Sequence, residues 1–175
     1  MKNLLPGLLF IFSLSFVNSV IAEKSFMISA DLGTASINNI SGYENTAYAR
    51  VDSSFYFLPQ YAINLFYADY KNFETNSGAT PVSLSLNGYG IGITGVCPLY
   101  SQVQPYARIE YFTWDNNVYS LGNKVGSDSD FNTGLALGVI IPIKSIFGLK
   151  AEVMRYNDIS GADIDQLSFG AFFKF

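Results

Sequence analysis

Ile164-Asp165-Gln166-Leu167-Ser168-Phe169-Gly170-Ala171-Phe172-Phe173-Lys174-Phe175 closes the 175-residue sequence. Every second residue back from Phe175 is apolar: Phe173, Ala171, Phe169 and Leu167. The alternate register holds Lys174, Phe172, Gly170, Ser168 and Gln166. A period of two marks a β-strand with one apolar face and one mixed face. Soluble domains rarely leave such a face bare at their end. A strand with lipid on one side does, so the stretch reads as the closing strand of a membrane barrel.

The opening of the chain agrees. Lys2 supplies a positive start, Leu4 to Val17 is largely apolar, and Val20-Ile21-Ala22 has the small or β-branched residues of a cleavage site. Residues 1–22 therefore read as a secretory signal peptide and residues 23–175 as one barrel domain. The apolar stretch is short and punctuated by Pro6 and Gly7, unlike a membrane anchor, and nothing after it could span a bilayer as a helix.

Between these ends the periodicity places strands at about 25–34, 46–57, 61–70, 82–96, 103–116, 131–141, 147–156 and 164–175. Short turns fall at Pro59, Pro98 and Pro142, because proline cannot donate to a β-ladder. Long polar loops fall at 35–45, 71–81, 117–130 and 157–163. Within 82–96 the alternation slips: Leu84 and Leu86 are even-numbered, Tyr89, Ile91 and Ile93 odd. A β-bulge at Asn87-Gly88 would account for the slip. Alternating short turns and long loops predict an all-β fold, an eight-stranded antiparallel up-and-down transmembrane β-barrel. A sixteen-stranded porin would need far more chain.

Composition narrows the function. Charged residues are 14% and aromatics 16%, with 15 Gly, which suits a lipid-facing band with aromatic girdles. The formal net charge is −4, and cleavage would make it more negative, so nucleic acid is excluded as a partner. The chain has no His, the one side chain that normally titrates near neutral pH. It has no Gly-Xaa-Ser-Xaa-Gly elbow either, so it does not read as an enzyme. One Cys, Cys97, allows neither an internal disulfide nor, without His, a zinc site. Asp128-Ser129-Asp130 offers oxygen ligands but lacks the rest of a calcium loop, and reads as a solvated segment. No cofactor and no metal are expected.

Arg108, Glu110, Lys150 and Glu152 fall on the inner register of their strands. The interior of an eight-stranded barrel is only wide enough for side chains to fill. Charges there must pair or meet water, so these residues read as a polar plug, with a gated ion path as the alternative. Arg50 and Asp52 share the inner register of the second strand. Tyr67, Tyr70, Tyr111 and Tyr156, near strand ends, are candidates for interfacial belts, and Trp114 for packing at a loop base.

Several segments resemble the small outer-membrane barrel family that includes the OmpA transmembrane domain. They are the hairpin Phe57-Leu58-Pro59-Gln60-Tyr61-Ala62-Ile63-Asn64-Leu65-Phe66-Tyr67-Ala68-Asp69-Tyr70, the central pair Gly95 to Leu99 and Pro105 to Ile109, Lys150 to Tyr156, and the terminal Ser168 to Phe175. The family often carries Glu where this chain has Asn64. The resemblance implies a bacterial outer-membrane location, contact with its lipid, and a terminal signal (Phe169, Phe173 and Phe175) read by the barrel-assembly machinery. The expected role is structural, or adhesive toward host or surface ligands through the loops; the alternative is a narrow pore for small solutes.

Overall fold

The computed structural model describes residues 25–38, 42–75, 82–97, 102–159 and 161–175. The expected signal peptide, the turn at Pro98 and parts of the loops 35–45, 71–81 and 157–163 lie outside the described residues. The strands are β1 (Ser25–Ile37), β2 (Thr46–Leu58), β3 (Tyr61–Glu74), β4 (Val82–Val96), β5 (Gln104–Ser120), β6 (Asn123–Lys144), β7 (Phe147–Ile159) and β8 (Ala162–Lys174). Each pairs antiparallel with the next, and β8 returns to β1, so the eight strands close a barrel in chain order. The opening stretch makes the closure: Ala171 faces Ala30 and Phe169 faces Leu32. At its end the Phe175 N–H donates to the Phe26 carbonyl at 2.7 Å, and the Phe26 N–H donates to the Phe175 carbonyl at 3.1 Å. No edge remains to template aggregation along this seam.

The wall is apolar outside and polar or aromatic inside. Leu32, Leu65, Ile93, Ile109 and Phe169 stand exposed on the outer face, whereas Asp31, Arg50, Glu110 and Lys150 are buried. That reverses the arrangement of a soluble domain and is the one lipid requires. Closure leaves little interior room, and glycine helps solve the packing. On the inner face Gly33 faces Tyr48, Gly90 faces Phe66, Gly134 faces Tyr156, Gly138 faces Tyr106 and Gly148 faces Phe172. Each ring lies over its glycine; a Cβ on Gly134 would come within 2.6 Å of the Tyr156 ring.

Three sequence expectations are corrected. First, there is no bulge at Asn87-Gly88. β4 pairs with β5 without interruption from Val82 to Val96, and the register shift lies on β3 between Tyr70 and Phe73. Leu86 is fully buried in the lumen, so the parity of β4 never changes. The chemistry of the interior changes along the axis instead. Second, 117–130 is not a loop. β5 and β6 continue as a ribbon to the turn at Leu121 and Gly122, whose φ angles are 51° and 78°. Paired positive φ is the geometry of a two-residue hairpin turn, and glycine accepts it without strain. Similarly, β3 extends to Glu74, while β7 and β8 run to Ile159 and from Ala162, leaving the expected loops shorter. Third, Pro142 does not make its turn. It lies in β6 opposite Gly148 at a register shift, and the turn is Ser145-Ile146.

Candidate functional site: a sealed lumen

Inward residues stack in layers along the barrel. Nearest the chain termini, Met27, Tyr56, Ala62, Tyr106, Ile140 and Phe172 form an apolar layer. At the opposite, hairpin end, a larger cluster includes Tyr48, Phe66, Tyr70, Phe73, Leu86, Phe112, Trp114, Tyr156 and Ile164. A charged layer lies between them.

The charged layer joins the residues expected from the sequence to others not expected. Arg108 reaches three carboxylates: Nη2 is 2.6 Å from Glu152 Oε1, Nε is 3.0 Å from Glu110 Oε2, and Nη1 is 3.2 Å from Asp52 Oδ1. Arg50 grips Glu110 with both terminal nitrogens, at 2.9 and 2.8 Å, and donates from Nε to Asp52 Oδ2 at 2.7 Å. Two parallel N–H donors on one carboxylate are the strong form of this pairing. Lys150 Nζ lies 2.7 Å from Asp31 Oδ2 and 3.4 Å from Asp52 Oδ2. All these side chains are at most 4% exposed. Ions this dry survive only when each has partners, and here every charge has at least one.

Both apolar layers lend groups to the charges. From the termini side, the Tyr106 hydroxyl donates to Glu152 Oε2 at 2.6 Å. From the hairpin side, the Tyr156 hydroxyl donates to Glu110, and the Arg50 guanidinium lies 3.8 Å from the centroid of the Phe66 ring. A cation over a ring face gains electrostatically where water is excluded. Gly170 makes room for Asp31, whose Oδ1 would clash with any Cβ there. At Asn64 the lumen holds a neutral chain of hydrogen bonds. Asn64 donates to Ser54 Oγ at 2.6 Å and accepts from Thr94 Oγ1 at 2.6 Å.

Sequence reasoning left Asp31, Arg50 and Asp52 out of the site although parity put all three inside. The missing information was axial position: strand tilt brings Arg50 level with Glu110, which lies 60 residues away. Two tyrosines expected at the interface are corrected. Tyr70 and Tyr156 are buried in the lumen, where rings fill the distal layer, while Tyr67 and Tyr111 face outward. Trp114 packs inside near the hairpin-end rim and donates from Nε1 to Asn132 Oδ1 at 2.7 Å.

Asp128-Ser129-Asp130 also acquires a structural explanation. β6 continues to Asn123, but its pairing with β7 runs no further toward the turn than Gly134 opposite Tyr156, so the tip of β6 is an edge. Asp128 Oδ1 accepts the Ser129 N–H at 2.9 Å, and Asp130 Oδ1 accepts the Phe131 N–H at 2.8 Å. Acidic side chains that occupy the N–H of the following residue blunt an exposed edge. No cluster of metal-ligating side chains occurs among the described residues.

No protein-family model and no curated protein matches the sequence. Solved structures do. Neisserial surface protein A is 19% identical with a TM-score of 0.71, over 87% of this chain and 100% of its own. Ail, the attachment invasion locus protein of Yersinia pestis, is 13% identical with a TM-score of 0.64, over 88% and 100%. The N-terminal β-barrel domain of Pseudomonas aeruginosa OprF is 11% identical with a TM-score of 0.66, over 87% and 100%. With its closed antiparallel wall and filled lumen, this chain has the fold of the small eight-stranded outer-membrane β-barrels.

Proposed function

We propose that this protein is an integral bacterial outer-membrane protein whose barrel is a sealed support for an interaction surface at its hairpin end. The observation that carries this reading is the lumen: a dry ion-pair layer closed on both sides by packed rings. An interior filled in this way supports rather than conducts. The β5–β6 ribbon, which extends past the last β6–β7 pair, supplies a raised platform.

Charge indicates what the platform meets. Asp69, Asp115, Asp128, Asp130, Asp158 and Asp163 lie at the hairpin end, where the described basic residues are Lys71, Lys124 and Arg155. Arg155 is held by Asp165, two N–H groups on two carboxylate oxygens at 2.5 Å. The surface is acidic and favours a basic partner by complementarity. Ail has been solved with the heparin analogue sucrose octasulfate, a polyanion. This acidic end would repel such a ligand. Replacing residues 117–130 by a two-residue turn tests the reading. Binding to cells or to a basic surface protein should fall while the barrel still shifts on an unboiled gel. Unchanged binding by a folded barrel would sink the adhesive role.

A narrow pore is the second reading, and Arg108 is the observation in its favour. A guanidinium already touching three carboxylates could exchange partners over short distances. Arg108→Glu should change single-channel conductance if that path exists; unchanged conductance counts against it. Delivery completes the proposal. Residues 1–22 act as the cleaved export signal, and outward Phe169, Phe173 and Phe175 as the strand presented to the assembly machinery. Mass spectrometry of the mature protein should find Glu23 first.

A further inference from the structure

The mouth at the termini end contains a cavity of about 350 Å³ that the sealed-support reading does not use. Its floor is the apolar layer of Met27, Tyr56, Ile140 and Phe172, and its rim carries Lys144 and Lys174. Lys174 Nζ lies 5.1 Å from the centroid of the Tyr56 ring, drawing one ammonium over the floor. Neither lysine is in an ion pair among the described residues. No Asp or Glu side chain occurs in the described segments that form this mouth, 25–27, 56–61, 96–97, 102–106, 140–147 and 172–175. The basic mouth contrasts with the acidic hairpin end.

An apolar floor under two unpaired ammonium groups selects a ligand with an apolar body and one anionic end. The cavity lies at the small end of the usual range for ligand sites, roughly 300–1,000 Å³. We propose that this mouth binds a medium-chain carboxylate, its hydrocarbon against Tyr56, Ile140 and Phe172 and its carboxylate between Lys144 and Lys174. The charge-assisted hydrogen bonds to the head would supply specificity, and the floor would supply most of the remaining affinity. With the hairpin-end interaction surface of the proposed function facing outward, this site opens toward the periplasm, yet its binding does not depend on what the hairpin end does.

Methyl-labelled protein in zwitterionic nanodiscs, titrated with octanoate or octanamide, tests this. Saturable shifts at the Met27 and Ile140 methyls are expected with octanoate. Octanamide should bind about tenfold more weakly, because it lacks the charge that the lysines recognise. Lys144→Gln, on an exposed residue that leaves the wall intact, should weaken octanoate and not octanamide, and Lys144→Gln with Lys174→Gln more so. Equal affinity for acid and amide would overturn the proposal, as would indifference to Lys144→Gln. Shifts confined to outward methyls such as Ile63 and Ile93 would also overturn it, since these report partition into lipid.

Discussion

The charged middle of the lumen and its aromatic hairpin end occupy the same narrow tube and use the same strand parity, yet opposite chemistry fills them. In the middle, Arg50, Arg108 and Lys150 pair with four carboxylates, Asp31, Asp52, Glu110 and Glu152. Toward the hairpins, Phe66, Tyr70, Phe112 and Tyr156 meet ring against ring, with centroids 5.8 Å apart for Phe66 and Phe112 and 5.0 Å for Phe112 and Tyr156. Facing inward therefore does not mean polar. It means filling a fixed volume, with ions where partners converge and with rings where they do not.

Breaking the ionic layer at its centre should do the greatest harm. Glu110→Ala removes the carboxylate that Arg50 and Arg108 share, leaving both guanidinium groups short of an acceptor, and is expected to cost about 3–5 kcal/mol in urea unfolding of the refolded barrel. Replacing Arg50 and Glu110 together by Met should recover at least half of that loss, because no buried charge is orphaned. Additive losses would mean that the layer is held by packing rather than by pairing. The aromatic layer is tested next by Leu86→Ala. A lumenal Leu86 predicts a cost of roughly 2–4 kcal/mol. A value near zero would return Leu86 to the lipid face and restore the bulge at Asn87-Gly88. The smallest contrast lies across the wall. Tyr70→Leu should destabilise measurably, since Tyr70 stacks on Tyr48 and receives a hydrogen bond from Gln166. Outward Tyr67→Leu should stay within about 0.5 kcal/mol.

The same comparison explains what was legible beforehand. Outward positions alternate faithfully in nearly every strand because lipid makes one uniform demand on them: be apolar. Arg108, Glu110, Lys150 and Glu152 stood out because a charge opposite a lipid face has only the interior left. Leu84 and Leu86 misled because an apolar residue is acceptable on either face near the hairpin end. Tyr70 and Tyr156 misled for the same reason. The polar stretch 117–130 read as a loop because a ribbon above the bilayer carries none of the apolar alternation that reveals a strand in lipid.

Local pattern alone determined the class of fold, the number of strands and the lipid-facing register of the membrane-level stretches, since these follow from a period of two. Only the closed structure decided which residues share a level. Strand tilt and stagger set that. They brought Asp31, Arg50 and Asp52 to Arg108 and Lys150, laid rings over the glycines of neighbouring strands, and set Lys144 and Lys174, without an ion pair among the described residues, around a cavity that no single strand contains.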